Sequence, residues 1–487
     1  MDKNSFKYQH ALCLHPYYRD SRSGSLGVAV FPPIGLEYVA ASLQPWIERL
    51  TFLDLRQPGP LRNPDRMRSF ISREIDLLCV SINWEYHFKE VLELLRSLPW
   101  ETTTVVGGKQ ATDYVEEVMA ACPNVDILVR GEGEEAMIEI AQGRDLKEIL
   151  GISWRQNGNI IHNPNRPLGE IDHLPYPDRR LRSRLYHFNI SGIAMRGEEF
   201  DMILTARGCP FECKFCTFTL SPWGQKRKWA ARPVDSIIEE LKGMSAGVVL
   251  ISDENFFVNP KRAAEICQRI IDEKIEKRFI VQSRLEVYRY PELLDLAVRA
   301  GIKILLIGIE SPHDHILAQL NKGFTSKTVR EAFTVLRQYP LYYHGYFIYG
   351  NVGESEEEML AIATFAQELG LDSITYQKLR AERYSPIHDL VAQNPDYFVG
   401  DDNIVYSHKL NYAGLEALAR QITRRFYTPG QLLKILKKLL AIRLILPRTL
   451  ISLLLGFPLI LANLVGREIH KKLRKYSLWR KFFPYAS

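Results

Sequence analysis

The sequence predicts an α/β protein with two successive strand–helix regions followed by a helical, basic C-terminal region. Two observations carry this. Short apolar runs alternate with helix-length amphipathic stretches before residue 150 and again between 199 and 390, and the character of the chain changes after residue 424. A chain of 487 residues, 46% hydrophobic and 25% charged, is long enough for two or three domains and has a globular composition. The expected division is 1–150, a linker at 151–198, a core at 199–390 and a C-terminal region at 391–487.

In the first region the apolar runs 11–14, 50–55, 77–82, 104–106 and 127–129 read as strands separated by helices. That spacing predicts an open, doubly wound parallel sheet, which binds ligands beyond the carboxyl ends of its strands. The residues expected there are small or polar: Ser81, Gly107, Gly108, and Gly131 with Glu132. The stretch 151–161, with Asn157-Gly158 at its centre, predicts a small hairpin. The proline-rich run 163–178 reads as an ordered linker ending in the rigid elbow 174–178.

The second region alternates again. Helices at 234–244, 261–273, 291–300, 327–338 and 355–369 lead into strands at 248–252, 279–283, 304–309, 342–349 and 373–379. With the apolar run 202–204 in front, this makes six strands, too few for a closed eight-stranded barrel. Asp253, Glu254, Arg284, Glu310 and Gly350 stand at strand ends, where barrel-type sites collect. Read one at a time, each carboxylate is first a solvated loop charge or a salt bridge, and only the shared strand-end position raises it to a site candidate. Tyr342, Tyr343, Tyr346 and Tyr349 read first as aromatics packed on a strand, with a cavity lining as the second reading.

Between Leu204 and the next helix lies Cys209-x3-Cys213-x2-Cys216. Three soft thiolates on one tight loop suit an iron–sulfur cube in which each holds one iron and the fourth iron stays open. A zinc knuckle is the other reading, but it needs a fourth ligand nearby; His187 lies upstream and Cys267 falls within a helix. Cys13, Cys79, Cys122 and Cys267 read as small buried hydrophobes, a usage that suits a reducing cytosol. The N-terminus has no apolar signal core, so nothing there points to secretion.

The cysteine spacing, the Arg207-Gly208 before it and Phe215 within it resemble the radical S-adenosylmethionine (SAM) superfamily. Residues 8–142, with Pro32-Pro33-Ile34-Gly35-Leu36-Glu37-Tyr38 and the strand-end glycines, resemble the cobalamin-binding domain that precedes many radical SAM cores. The resemblance implies a Rossmann-like cobalamin-binding domain, a partial (β/α)6 barrel, and three cofactors: a [4Fe-4S] cluster on Cys209, Cys213 and Cys216, SAM, and cobalamin. It also implies Phe215, Gly345, Ile348 and Gly350 against adenine, and Asp253 or Glu254 toward the SAM ammonium, although the glycines of the family's run are missing there. By the same resemblance Arg284 pairs with the SAM carboxylate and Glu310 with the ribose. Where cobalt-ligating relatives have D-x-H-x-x-G, this chain has Asp54-Leu55-Arg56-Gln57-Pro58-Gly59. Arginine stays protonated, so cobalt is expected to lack a protein histidine here.

The implied activity is modification of an unactivated carbon of a lipid or isoprenoid, first by C-methylation as in hopanoid methylases. Ring closure or oxidative remodelling, as in the anaerobic magnesium-protoporphyrin ester cyclases, is the alternative. A reductant such as flavodoxin or ferredoxin is the implied protein partner. Residues 424–487 carry 14 Lys/Arg against the single acid Glu468, leaving 49 basic and 56 acidic residues elsewhere. The 17 uncharged residues 449–465, interrupted by Pro458, fall short of the ~20 a spanning helix wants. With basic flanks and Tyr476, Trp479, Phe482 and Phe483 beyond, they predict attachment to the cytoplasmic face of a membrane and no nucleic-acid partner. A docked helical subdomain with a solvated basic face is the other reading.

Overall fold

Two parallel sheets carry the chain, and the computed structural model describes residues 6–18, 31–85, 87–190, 193–218 and 220–444. The first sheet comprises β1 (His10–His15), β2 (Arg49–Asp54), β3 (Leu77–Ser81), β4 (Thr103–Gly107), β5 (Ile127–Val129), β6 (Ile152–Gln156) and β7 (Asn159–His162). Their order is β2-β1-β3-β4-β5-β6-β7, the first five parallel and the last two antiparallel. The helices are α1 (Ile34–Leu43), α2 (Pro64–Glu74), α3 (Phe88–Arg96), α4 (Lys109–Asp113), α5 (Val115–Ala121) and α6 (Glu134–Ala141).

Successive side chains of a strand point to opposite faces, and both faces of this sheet are covered, hence its near-continuous apolar runs. Leu12, Leu14 and Val80 pack with Met67, Ile71, Val91 and Met119 on one face. Ala11, Cys13 and Cys79 pack with Leu36, Ala40, Met137 and Ile140 on the other. The expected doubly wound arrangement is therefore present. The hairpin at 151–161, assigned to the linker, instead extends this sheet, with Val129 paired to Ile152. The buried Arg130 guanidinium pins it by donating to the Ile152 carbonyl at 2.6 Å.

Ser81 and Gly107 are register partners at the carboxyl ends of β3 and β4. Gly108 has φ +101°, and a Cβ there would stand 2.6 Å from the Ile82 carbonyl oxygen. Gly108→Ala is expected to lower stability by about 1–3 kcal/mol in denaturant unfolding. Gly107→Ala, with its nearest neighbour at 3.6 Å, serves as the mild comparison.

The second sheet contains β8 (His187–Ile190) and β9 (Ile193–Ile203), then, after a short pair β10 (Ala206–Arg207) and β11 (Ala230–Ala231), β12 (Val248–Ile251), β13 (Arg278–Ser283), β14 (Ile302–Glu310), β15 (Tyr342–Tyr349) and β16 (Ser373–Lys378). Its order is β16-β15-β14-β13-β12-β9-β8, with six parallel strands and β8 antiparallel at the edge. The intervening helices are α7 (Val234–Gly243), α8 (Pro260–Asp272), α9 (Pro291–Arg299), α10 (Asp314–Gln319), α11 (Ser326–Leu336) and α12 (Glu356–Glu368). They cover one face, where Ile251, Phe279, Leu305, Tyr343, Phe347 and Tyr349 are buried. The six-strand count stands, and the tyrosines divide by strand alternation: Tyr343 and Tyr349 pack under the helices, while Tyr342 faces inward.

On the inner face the register aligns Met202, Leu250, Ile280, Ile304 and Tyr342 in one row across five strands. After α13 (Ile387–Ala392) and α14 (Tyr412–Phe426), α15 (Pro429–Ala441) closes the amino-terminal end of the sheet over that row. Gln431 donates to the Leu371 and Asp372 carbonyls, Lys438 pairs with Asp372 at 2.8 Å, and Arg278 donates to the Leu444 carbonyl at 2.9 Å. No helix among the described residues is long and apolar enough to cross a membrane. The apolar run 449–465 lies outside the described residues.

Candidate active site

The three cysteines sit on a loop tied down on every side. β10 and β11 bracket it as an antiparallel clamp. Gly208, at φ +83°, passes so close to the returning strand that a Cβ would stand 2.5 Å from the Lys228 carbonyl oxygen. The loop folds tightly, Cys216 N donating to the Cys213 carbonyl at 3.0 Å. Lys214 N donates to the Leu320 carbonyl, Asn321 to the Glu212 carbonyl and Ser385 to the Lys214 carbonyl. All three cysteines are half-buried. Burial raises the Cys209 thiol and pushes Cys216 up to about 11, with the neighbouring sulfurs adding to both. Thiols so placed become thiolates only with a cation beside them, and soft sulfur donors fit the irons of a cluster.

Asp253 lies at this loop, but its role differs from the one expected. Its carboxylate accepts from Thr205 N at 2.7 Å, Ala206 N at 2.9 Å and the Thr205 hydroxyl. It anchors the strand entering the cluster loop and is not left for an ammonium group. Asp253→Asn should weaken those charge-assisted bonds, lowering stability by about 1.5–3 kcal/mol and reducing the iron bound after reconstitution, as thermal melting and iron analysis would show. Glu254 is half-buried, accepts from Gly208 N at 3.1 Å, and is close enough to Cys209 and Cys216 to raise their pKa values. Burial, then the Asp253 charge, pushes Glu254 up to about 7. Of the two carboxylates, Glu254 is the one that suits an ammonium beside the cluster.

Arg284 and Glu310 both have partners within the fold. The Arg284 guanidinium donates to Cys213 Sγ at 3.2 Å and to the Lys322 carbonyl at 2.5 Å, pairs with Glu286 at 3.0 Å, and lies 3.8 Å over the Phe211 ring. Through these contacts it braces the cluster loop. Glu310, at φ +72°, pairs with Lys322 Nζ at 3.1 Å, both nearly fully buried, so that carboxylate serves a cation. Lys322 was not singled out in the sequence; Asn321-Lys322-Gly323 looks there like an ordinary turn after a helix. Its ammonium also lies 5.7 Å from the Phe215 ring centre.

Phe215 and Ile348 meet in one apolar cluster with Ile316, Leu320 and Leu379, as a shared adenine-contacting role requires. Gly345 faces the other way: a Cβ there would stand 2.7 Å from Leu371 Cδ1 and 3.0 Å from the Phe347 ring. It is a close-packing glycine under the helices. Gly350 likewise faces Leu415 of α14, 3.1 Å from where its Cβ would lie.

At the carboxyl end of the first sheet, Ser81 accepts from Asn83, whose own carbonyl accepts from Lys109 N. Glu132 pairs with Arg227 at 2.9 Å and Arg207 at 3.5 Å, and Glu134 pairs with Arg207 at 2.5 Å. Gly131 abuts Pro222. The turn 131–134 thus docks on the cluster-bearing region, with Glu132 in ion pairs to both arginines. Arg207, two residues before Cys209, joins the two strand-end edges. The cobalamin side retains a polar shelf at Ser81, Gly107 and Gly108, and Arg56 is locked onto Asp54 at 2.6 Å and stacked on Trp84. Neighbouring His15 is 1% exposed, and burial pushes its pKa down to about 3. The donors and glycine cradles suit the cluster and cobalamin on facing edges.

The radical SAM superfamily profile matches residues 203–366 and the B12 binding domain profile residues 28–141. An uncharacterized methyltransferase of Pyrococcus horikoshii is 30% identical over 359 residues, 70% of this chain and 74% of its own. The anaerobic magnesium-protoporphyrin IX monomethyl ester cyclase of Synechocystis sp. is 27% identical over 326 residues, 63% and 62%. In fold, the chain is similar to the radical SAM methyltransferase TsrM of Kitasatospora setae with cobalamin and [4Fe-4S] cluster bound: TM-score 0.64 and 16% identity, over 85% of this chain and 81% of that one. Similar segments in the same order, joined to a clamped three-cysteine loop facing a cobalamin-type sheet, place this chain in the radical SAM superfamily: it belongs to the cobalamin-binding branch, and its cofactors are a [4Fe-4S] cluster, SAM and cobalamin.

Proposed function

We propose that this methyltransferase-like enzyme C-methylates an unactivated carbon of a lipid- or isoprenoid-type substrate at the cytoplasmic face of a membrane. Residues 1–150 would carry cobalamin and 199–390 the cluster and SAM, with Cys209, Cys213 and Cys216 each holding an iron. A flavodoxin or ferredoxin is the one-electron donor in this reading. The observation that carries it is the facing of the two strand-end edges through Arg207, Glu132 and Glu134, which suits a carbon radical and a methyl donor meeting in one space. When bound, the cluster with SAM supplies hydrogen abstraction from carbon and cobalamin supplies a methyl group.

The chain's own residues bind, orient and exclude. Arg284 and Asp253 brace the cluster loop, and Phe215 with Ile348 offers an apolar contact for an adenine ring. α15 shuts the far end of the sheet against water. Support for an apolar substrate comes from the apolar character of the inner face, whose row Met202, Leu250, Ile280, Ile304 and Tyr342 is covered by α15 at its amino-terminal end. One row higher, His344 hydrogen-bonds Ser373 at 2.7 Å, and burial holds it down to about 4, so it stays neutral and suits a single polar group of the substrate.

The test is mass spectrometry after anaerobic reconstitution with iron, sulfide, cobalamin and methyl-deuterated SAM, with membrane lipids as substrate. A lipid heavier by a deuterated methyl, formed with 5′-deoxyadenosine, is the expected result. Loss of hydrogens without methyl gain would replace it with ring closure or oxidative remodelling, the reading favoured by the similarity to the Synechocystis cyclase. Deoxyadenosine with no altered lipid would overturn the substrate class.

A further inference from the structure

α15 has two apolar faces, and among the described residues only one has a packing partner. Ile435 and Leu439, followed by Ile442 and Leu444, pack against the floor of the half-barrel. Leu432, Leu433 and Leu436 point outward and are 49%, 53% and 37% exposed. At 100° per residue these three leucines span one stripe of the helix, with Leu440 on the same arc. Lys434 and Lys437 stand exposed beside it. From Arg424 to Leu444 the chain has six Lys/Arg and no acid.

A leucine stripe edged by lysines, on a helix without acids, is complementary to an anionic bilayer surface. Apolar side chains enter the acyl boundary while ammonium groups remain among the phosphates. We propose that the outward face of α15 docks on an anionic lipid leaflet, which sets the amino-terminal end of the half-barrel toward the membrane and the cluster away from it. The inward face keeps the helix fixed to the barrel floor, so docking orients the catalytic core and not merely its tail. The proposal deepens the reading that the enzyme works at a membrane surface and rests on it. It assigns the contact to a folded helix rather than to the run 449–465.

Flotation of the full-length protein with phosphatidylglycerol or phosphatidylcholine vesicles tests this. Binding to the anionic vesicles at low salt is expected to be at least ~10-fold tighter, because surface charge attracts each nearby lysine. The triple variant Leu432→Glu, Leu433→Glu, Leu436→Glu should lose at least ~10-fold of that binding while keeping its melting temperature, since none of the three belongs to the apolar cluster that holds the helix on the floor. Lys434→Glu with Lys437→Glu should lose binding in a salt-dependent way, and this pair decides the matter if the leucine variant melts early. Leucine variants that float like the wild type would overturn the proposal, assigning attachment to the tail. Loss of a dimer in light scattering together with loss of flotation would also overturn it, assigning the face to a second copy. Methylation of detergent-dispersed lipid separates the two readings. Variants that no longer float yet still methylate dispersed lipid support the docking role, whereas a wild type that floats but methylates no lipid refutes only the substrate class.

Discussion

Cys213→Ala protein, reconstituted anaerobically, is expected to lack the broad iron–sulfur absorption and to form no detectable 5′-deoxyadenosine. The loss should be on the order of 10³-fold or more, because the cofactors carry the bond-breaking chemistry and a cube lacking one thiolate anchor is no longer held. The fold should survive. Arg284 loses the Cys213 sulfur but keeps Glu286, the Lys322 carbonyl and Phe211, and the loop's other anchors do not involve that sulfur. Cys267→Ala is the matched control. That thiol is 1% exposed within α8, and burial pushes it up to about 12, so it is inert. The control should cost about 1–2 kcal/mol of packing and leave the absorption intact. A Cys213→Ala protein that retained its full absorption would remove the three-cysteine assignment.

Arg207→Ala should be the most damaging substitution outside the cysteines. It leaves Glu134, 6% exposed, without a guanidinium, and the partly buried Glu132 with Arg227 alone. Removing one partner of a buried ion pair typically costs about 3–5 kcal/mol, since the remaining charge has lost its water and its counter-ion. Arg227 still reaches Glu132, so the upper end of that range is not expected. The effect should be greatest on docking. Increased proteolysis between the two sheets, with cluster absorption retained and deoxyadenosine formed without methyl transfer, is the expected pattern. A double-mutant cycle with Glu134→Gln should show coupling of about 1 kcal/mol or more. Near-additive losses would mean that the pair does not hold the edges together.

Arg207 is reinforced by a second set of contacts that sequence reading did not anticipate. Arg182 forks onto Glu37 of α1 and onto Asp201 of β9, while Arg179 bridges Asp201 and Glu240. Arg232 pairs with Glu240 and donates to the Tyr38 hydroxyl. The run Glu37-Tyr38, noted in the sequence as part of a cobalamin-domain pattern, thus meets the barrel and the connector. Two of these arginines, Arg179 and Arg182, stand just after the proline-rich run and tie the connector to both sheet regions.

Much of this protein is local in origin and legible in order along the chain. Strand–helix alternation, the six parallel strands of the second sheet and the C-x3-C-x2-C loop depend on patterns a few residues long. Backbone pairing and thiolate softness impose them wherever they occur. The cysteines share one loop, and Phe215 and Ile348 one apolar cluster, because the loop and strand ends that carry them follow from that alternation. What the sequence could not supply is which polar side chain finds which partner. Asp253, Arg284, Glu310 and Glu132 all lie at the strand ends where they were sought, yet each is engaged from another part of the chain: by Thr205, by Cys213 and the Lys322 carbonyl, by Lys322, and by Arg207 with Arg227. Glu310 and Lys322 form so costly a buried pair only because strand and loop converge there. The glycines divide for the same reason. Gly345 and Gly350 turned out to face helices, since the face a strand residue takes depends on register and not on motif. α15 shows both sides of the argument: its lysines and leucines are plain in the sequence, but tertiary packing alone decided that one leucine face would cover the barrel floor and leave the other open.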